Sequence, residues 1–447
     1  MAATTDRARF YLEQYVPELQ EWSQKGIFSR EEITSITKKR SDFEHILNAR
    51  GSTPADYARY ATYEMNLDAL RKKRSKRLGA KATAFGGQSA QRTVFFVLDR
   101  ATKKFPGDMG LWMQYISFCK KEKAGKKLGK VFTAVLRLHP RDWGLWILAA
   151  KHYAETQGDM GTARSYLQRG LRFNMDEERL WCEYIKLEMV YLAKIAARKK
   201  ILGLDEKKDE ERDKPREDQM DDEDMIALPA VTAEDFEPDA GKGVEEVDED
   251  MLKRLDSVPA FTGGIPMALF DAAMKQFGQN APEVAESIFD LVASFNHVPA
   301  TPNILQHILE YLQNAPQAFA CEAKRELLNV DSNSPDFPIA LGKTLAHLKR
   351  GLSKVDEKQR SKLAEKAVLL LLPLAAGTDV GKRVDDADVQ KAIEASMKKY
   401  AKIWGEAAAK PGKKATGPMA LAEKKRKEGL DHEAYIIDRL VSGKRPI

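Results

Sequence analysis

Trp112, Trp146 and Trp181 stand 34 and 35 residues apart, and this spacing constrains the fold more than any other feature of the 447-residue chain. Trp112 and Trp181 each open an aromatic stripe at i, i+3: Trp112 with Tyr115 and Phe118, and Trp181 with Tyr184. In the Trp146 copy Ala149 takes the second place, and Tyr57, Tyr60 and Tyr63 form an earlier copy offset by an insertion. Between the stripes the apolar pattern predicts second helices at Val94 to Phe105, Leu128 to His139 and Ala163 to Phe173. Pro106 and Pro140 close two of them, because proline cannot continue a helix and restricts the residue before it. A unit of this length holds two helices and their turns. One such pair cannot bury its aromatic face alone, so neighbours must stack.

The rest of the chain agrees with an all-α class. Apolar residues make up 43%, enough for a core, and no β-branched alternating run bounded by hairpin turns appears. The expected architecture is a helical-repeat solenoid of antiparallel helix pairs, interrupted by an acidic linker. Residues 205 to 257 supply the interruption: Asp221-Asp222-Glu223-Asp224 and Asp248-Glu249-Asp250 sit among Pro215, Pro229 and Pro238. Beyond Pro266 helices are expected at Met267 to Phe277, Pro282 to Phe295, Ile304 to Gln313, Phe319 to Leu328 and Ile339 to Leu348. Three more are expected at Lys358 to Leu372, Asp388 to Trp404 and Met419 to Leu440. The run Ala367 to Ala376 is too short for a membrane helix, which needs about 20 apolar residues, and reads as core. The first thirty residues lack the apolar region of a secretory leader. Cys119, Cys182 and Cys321 cannot pair fully and form no C-x-x-C, which points to a reducing compartment.

Enzyme motifs are missing from the sequence. There is no phosphate loop, no dinucleotide-binding glycine pattern after a strand, no nucleophile elbow and no H-E-x-x-H. Gly86-Gly87 reads as a loop, and His45, His152 and His347 read as structural residues on helices. Catalytic residues, metal ligands, cofactors and a small-molecule substrate are therefore not expected. The stripe residues Tyr57, Tyr60, Tyr63, Trp112, Tyr115, Phe118, Trp146, Trp181 and Tyr184 read as repeat core. Their period is that of helix packing, which sets this reading against base stacking.

Charge distribution says more than the net of +6, which is the difference between 73 basic and 67 acidic residues. Arg71, Lys72, Lys73, Arg74, Lys76 and Arg77 put six cations into seven positions. They suit phosphate neutralisation or nuclear import, against the alternative of a solvated face. Lys120 to Lys127, Arg198 to Lys200 and Lys424 to Lys427 are further basic clusters, and for the first a solvated face is favoured. No RNA-recognition signature accompanies them, so any RNA contact should address the backbone.

Tyr57-Tyr60-Tyr63-Glu64 and Trp181-Tyr184-Leu187-Glu188 resemble the first helix of the half-a-TPR (HAT) repeat of RNA-processing proteins. The second-helix pattern appears at Ala163-Arg164, Tyr166 and Arg169. Cys119 and Tyr153 stand where that family has its glutamate. A longer ordered series runs from Phe10-Tyr11-Leu12-Glu13-Gln14 through Pro17-Glu18-Leu19, Gly26-Ile27-Phe28 and Lys38-Lys39-Arg40 to Phe43-Glu44 and Arg50-Gly51. This series resembles the HAT-repeat subunit family of the UTP-B subcomplex of the small-subunit processome, the small nucleolar RNA-associated protein six family. The resemblance implies a non-enzymatic nucleolar scaffold of the 90S pre-ribosome, needed for early pre-rRNA processing and 18S rRNA maturation. It implies as partners the WD-repeat propeller subunits of UTP-B, pre-rRNA and the U-three small nucleolar RNA, with no membrane. The alternative function is a sequence-nonspecific RNA-binding protein acting through its basic clusters. The expected domains are a family-specific helical region at 1–55, the HAT solenoid at 56–204, the linker at 205–262 and degenerate helical repeats at 263–447.

Overall fold

The computed structural model describes residues 9–79, 89–201, 262–313, 315–376, 386–408 and 417–442. The expected linker lies outside them except for Thr262, as do Gly86 and Gly87. No strand occurs among the described residues, and the fold is all-α. Backbone contacts divide the chain into two compact units, Met1–Asn174 and Met175–Ile447.

In the first unit α1 (Val16–Gln24) and α2 (Arg30–Asn48) precede three helix pairs. The pairs are α3 (Pro54–Arg77) with α4 (Ser89–Lys104), α5 (Met109–Lys121) with α6 (Gly125–Leu138), and α7 (Trp143–Lys151) with α8 (Met160–Phe173). Adjacent pairs pack on one another through α4–α5, α3–α5 and α6–α7. The helix starts are set by local chemistry. Ser29 and Glu32 form a reciprocal capping box, with Ser29 N donating to Glu32 Oε2 at 2.9 Å and Glu32 N to Ser29 Oγ at 3.2 Å. Asp108, Asp142 and Asp159 cap α5, α7 and α8 by accepting backbone N–H groups of the first turn.

The last pair explains why the repeat spacing grows from 34 to 35. The first helix of that pair does not stop at Lys151 but continues as a π-helical turn, His152–Gln157. The additional residue lies between Trp146 and the cap of the second helix. Such a bulge absorbs one residue without displacing the next helix. It also places Tyr153, which stands at the glutamate position of the repeat, face to face with Tyr166 at 5.2 Å.

The second unit runs from α9 (Glu178–Ile201) through α10 (Gly264–Phe277), α11 (Ala281–Ala293), α12 (Thr301–Leu312) and α13 (Pro316–Glu326). It continues with α14 (Phe337–Lys354), α15 (Glu357–Ala376), α16 (Ala387–Ala408), α17 (Pro418–Lys427) and α18 (Asp431–Ser442). A continuous apolar core joins α13 to α18 around Phe319, Leu363, Leu371, Ile393, Met397 and Trp404. The run expected to be core contributes Ala367, Val368, Leu371 and Leu372 to it, and no helix among the described residues is long and apolar enough to cross a membrane.

Most helices begin or end a few residues away from the expected bounds, and two differences are larger. Helix α14 extends six residues beyond Leu348, and within the extension Gly351 lies against Phe319 and Leu363 where a larger residue would not fit. The single helix expected over Met419 to Leu440 is broken into α17 and α18. Gly429 adopts φ +78°, and Leu430 N donates to Lys425 O at 2.9 Å, closing the left-handed C-terminal motif that glycine favours.

Candidate functional site

The repeat aromatics are placed by one recurring hydrogen bond. The indole N–H of Trp112 donates to Pro106 O, that of Trp146 to Pro140 O and that of Trp181 to Met175 O, each at 2.9 Å and each six residues back. In the first unit the carbonyl also receives a group from the end of the following helix pair. His139 Nε2 lies 2.9 Å from Pro106 O, and Asn174 Nδ2 donates to Pro140 O at 3.0 Å. The tryptophan thus ties its helix to the preceding turn. Trp112, Tyr115, Phe118, Trp146, Trp181, Tyr184, Tyr57 and Tyr60 are all buried, and Tyr63 is half-buried against Phe43. None of the buried rings offers a face to a base. Tyr115 donates its hydroxyl to Asp99 Oδ1 at 2.5 Å, and burial, with that bond, holds its phenol well above the ordinary range.

The basic run on α3 divides into two classes. Arg71 is buried and donates to Asp68 Oδ1 at 2.6 Å and 3.1 Å. Arg74 donates to both Glu32 oxygens at 2.7 Å and 2.8 Å and to Ile27 O at 3.2 Å, with its guanidinium 4.8 Å from the Phe28 ring. These two arginines hold α3 against its own neighbours, and Arg71 is not accessible to a phosphate. Lys72 is exposed and pairs with Asp68 at 2.7 Å. Lys73, Lys76 and Arg77 are exposed and have no carboxylate partner among the described residues.

An ion-pair module organises α1 to α4; Arg40, Glu44 and Glu64 stand out in the sequence as members of the family-like series, but their pairing does not. Arg40, fully buried on α2, donates from Nε and Nη2 to the two oxygens of Glu64 on α3, both at 2.8 Å. Its guanidinium lies 4.5 Å from the Tyr15 ring, and Phe43 stacks on Tyr60 at 4.9 Å. One turn further along α2, Glu44 accepts from Arg100 Nη1 at 3.0 Å and 3.1 Å, and Arg100 covers the Tyr11 ring at 4.7 Å. Burial works against the charge on Arg40, and the touching Glu64 carboxylate overrides it, so the guanidinium stays charged. Burial pushes the Glu44 carboxyl up, with Arg100 pulling the other way. The signal was in the sequence: Ile33, Ile36, Arg40, Glu44 and Leu47 keep helical spacing, which puts two charges on the apolar stripe of α2.

Among the described residues no three His, Cys, Asp or Glu side chains gather as metal ligands would. Burial pushes the Cys119 and Cys182 thiols up to about 12 and raises Cys321 further, so none is a thiolate at neutral pH.

The module overlaps the segment of the chain that matches a known family, which includes Arg40, Glu44 and Glu64 but not Arg100. Residues 12–94 match the family model described as U3 small nucleolar RNA-associated protein 6. The curated protein of that name from Schizosaccharomyces pombe is 36% identical over 251 residues, which are 55% of this chain and 51% of that one. The Homo sapiens homolog is 34% identical over 192 residues, 42% of this chain and 32% of its own length. The homolog from Dictyostelium discoideum is 32% identical over 210 residues, 46% of this chain and 34% of its own. The chain thus spans between a third and a half of the length of these relatives, and over its N-terminal part it is similar to the U3 small nucleolar RNA-associated protein 6 family.

Proposed function

We propose that the chain is a member of this family and acts as a non-enzymatic scaffold of the nucleolar small-subunit processome. In this reading it works within the UTP-B subcomplex, in early pre-rRNA processing and 18S rRNA maturation. The observation that carries the reading is the match over residues 12–94. It covers the segment that carries Arg40, Glu44 and Glu64, the residues whose ion pairs join α2 to α3 and α4 in this chain. The partners are WD-repeat propeller subunits, with pre-rRNA and the U3 small nucleolar RNA in the same assembly, and the location is the nucleolus. Stacked helix pairs suit this role because they present long helix faces to peptides and domains. The domain plan of N-terminal region, HAT solenoid, acidic linker and eroded C-terminal repeats belongs to the same proposal.

Depleting the protein tests the role. The expected result is loss of 18S rRNA with accumulation of its unprocessed precursor, while large-subunit rRNA is made normally. Normal 18S levels after full depletion would overturn it. A second reading, direct RNA binding through basic clusters, is favoured by Lys73, Lys76 and Arg77, which are exposed and have no carboxylate partner among the described residues.

A further inference from the structure

We infer that the end of α3 and the turn between α5 and α6 form one surface for the phosphate backbone of single-stranded RNA. The inference rests on the RNA-associated reading above and deepens it by naming the site. Lys73, Lys76 and Arg77 lie at i, i+3 and i+4 and share one exposed face of α3. Lys121, Lys123 and Lys126 are exposed on the α5–α6 turn and also have no carboxylate partner among the described residues. The two groups adjoin. Lys72 Nζ is 2.7 Å from Asp68 and 3.9 Å from Glu122, and a cleft of about 100 Å³ is lined jointly by Asp68, Lys72, Lys121 and Glu122. Nearby carboxylates are engaged elsewhere: Asp68 with Arg71 and Lys72, Glu122 with Gln91 and Lys72, and Asp99 with Tyr115 and Lys127.

Folding alone does not account for these lysines. The first helix of each pair is followed by a residue in the left-handed region: Gly79 at φ +60°, Lys123 at +53° and Gly158, after the π turn, at +71°. Glycine adopts that conformation freely and lysine does not, so the middle turn carries a side chain that works against its own backbone. Lys126 sits in the first turn of α6, where the positive end of the helix dipole disfavours a cation and no acidic residue offsets it. Lysines held where local energetics oppose them point to an external anion. Phosphate is favoured over an acidic protein because five of the six residues are lysines, point charges on flexible stems, and none is the aromatic anchor that protein interfaces centre on; contact is therefore with the backbone and not with the bases.

The test measures binding of the purified full chain to a fluorescein-labelled twenty-nucleotide oligouridylate across a salt series. Replacing Lys73, Lys76 and Arg77 by Gln, or Lys121, Lys123 and Lys126 by Gln, should each weaken binding at low salt by at least about tenfold. Each triple should flatten the slope of log K against log salt by about 2, at roughly 0.7 per phosphate contact in a single strand. Arg137, Arg141 and Arg172, exposed on or just after the far ends of α6 and α8, serve as the control triple and should change affinity less than threefold. Lys123→Gly should raise the melting temperature by roughly 2–4 °C while lowering RNA affinity, a combination that a merely structural lysine would not give. Equal losses in the control triple would overturn the site in favour of net charge. Unchanged RNA affinity with loss of a protein partner from pull-downs would assign the surface to an acidic protein instead. The scaffold reading stands apart, because its own test is the level of 18S rRNA after depletion and does not depend on these six residues.

Discussion

Gly170→Ala should destabilise the protein with Trp146 in place and stabilise it once Trp146 is Ala. Gly170 lies in the middle of α8, where alanine is intrinsically better than glycine by about 1 kcal/mol. A Cβ built there would lie 2.8 Å from Trp146 Cγ, 3.0 Å from its Cβ and 3.2 Å from Cδ2. These atoms are the root of the indole and cannot swing aside, because the ring is buried, stacks on Phe173 at 6.1 Å and is tied by Nε1 to Pro140 O. Overpacking of this kind costs about 1–3 kcal/mol, so the net effect in the intact protein is a loss of about 1 kcal/mol. Trp146→Ala alone should cost about 3–5 kcal/mol through the cavity. The lost N–H adds little, because Pro140 O still accepts from Asn174 Nδ2. With the ring gone only the Cβ contact at 3.0 Å remains, and Gly170→Ala should then recover most of the propensity gain. The coupling between the two sites is therefore about 1–3 kcal/mol. Urea unfolding of the four variants, with amide exchange across α7 and α8, measures it. An equal effect of Gly170→Ala in both backgrounds would refute the packing argument.

The geometry fixes three further outcomes. Glu64→Gln leaves Arg40 buried without its bonded carboxylate and should cost about 3–5 kcal/mol in urea unfolding, whereas Arg40→Met with Glu64→Leu should recover most of that loss. Hydrogen bonds from Arg74 and from Ser29 N hold the Glu32 carboxyl down at about 2, against an ordinary 4.5. Its contribution is complete above pH 4.5 and lost as pH falls towards 2, so Glu32→Gln should flatten that part of the acid-unfolding curve. Because burial holds the Cys119 thiol up at about 12, iodoacetamide at about pH 8 should label it only after unfolding, as mass spectrometry of the peptide will report.

The helix pairs were legible because their signal is local and repeated. Tryptophan spacing and the two prolines fix where pairs begin and end, and a chain-wide apolar period of three and four fixes the class. What escaped was set by tertiary packing or by one backbone residue. The π turn at His152–Gln157 shows in sequence only as one extra residue in a spacing, and Gly429 interrupts a continuous helical pattern only through the left-handed φ that ends α17. The basic run was visible as a run but not as two classes. Arg71 and Arg74 continue the stripe Tyr57, Tyr60, Glu64 and Leu67 at three and four spacing, which turns them inward, while Lys73, Lys76 and Arg77 fall off it. The pairing of Arg40 and Glu44 was hidden for the converse reason, since charges on an apolar stripe reveal partners only when α3 and α4 are in place.

In the proposed role this chain holds an assembly together through protein contacts, with RNA contacts added to them. Affinity purification of the tagged full-length protein, with and without ribonuclease treatment of the extract, tests it most directly. The proposed WD-repeat partners should remain bound after digestion while the U3 RNA and pre-rRNA are lost. Release of every protein partner on digestion would contradict it and leave the chain as an RNA-binding protein.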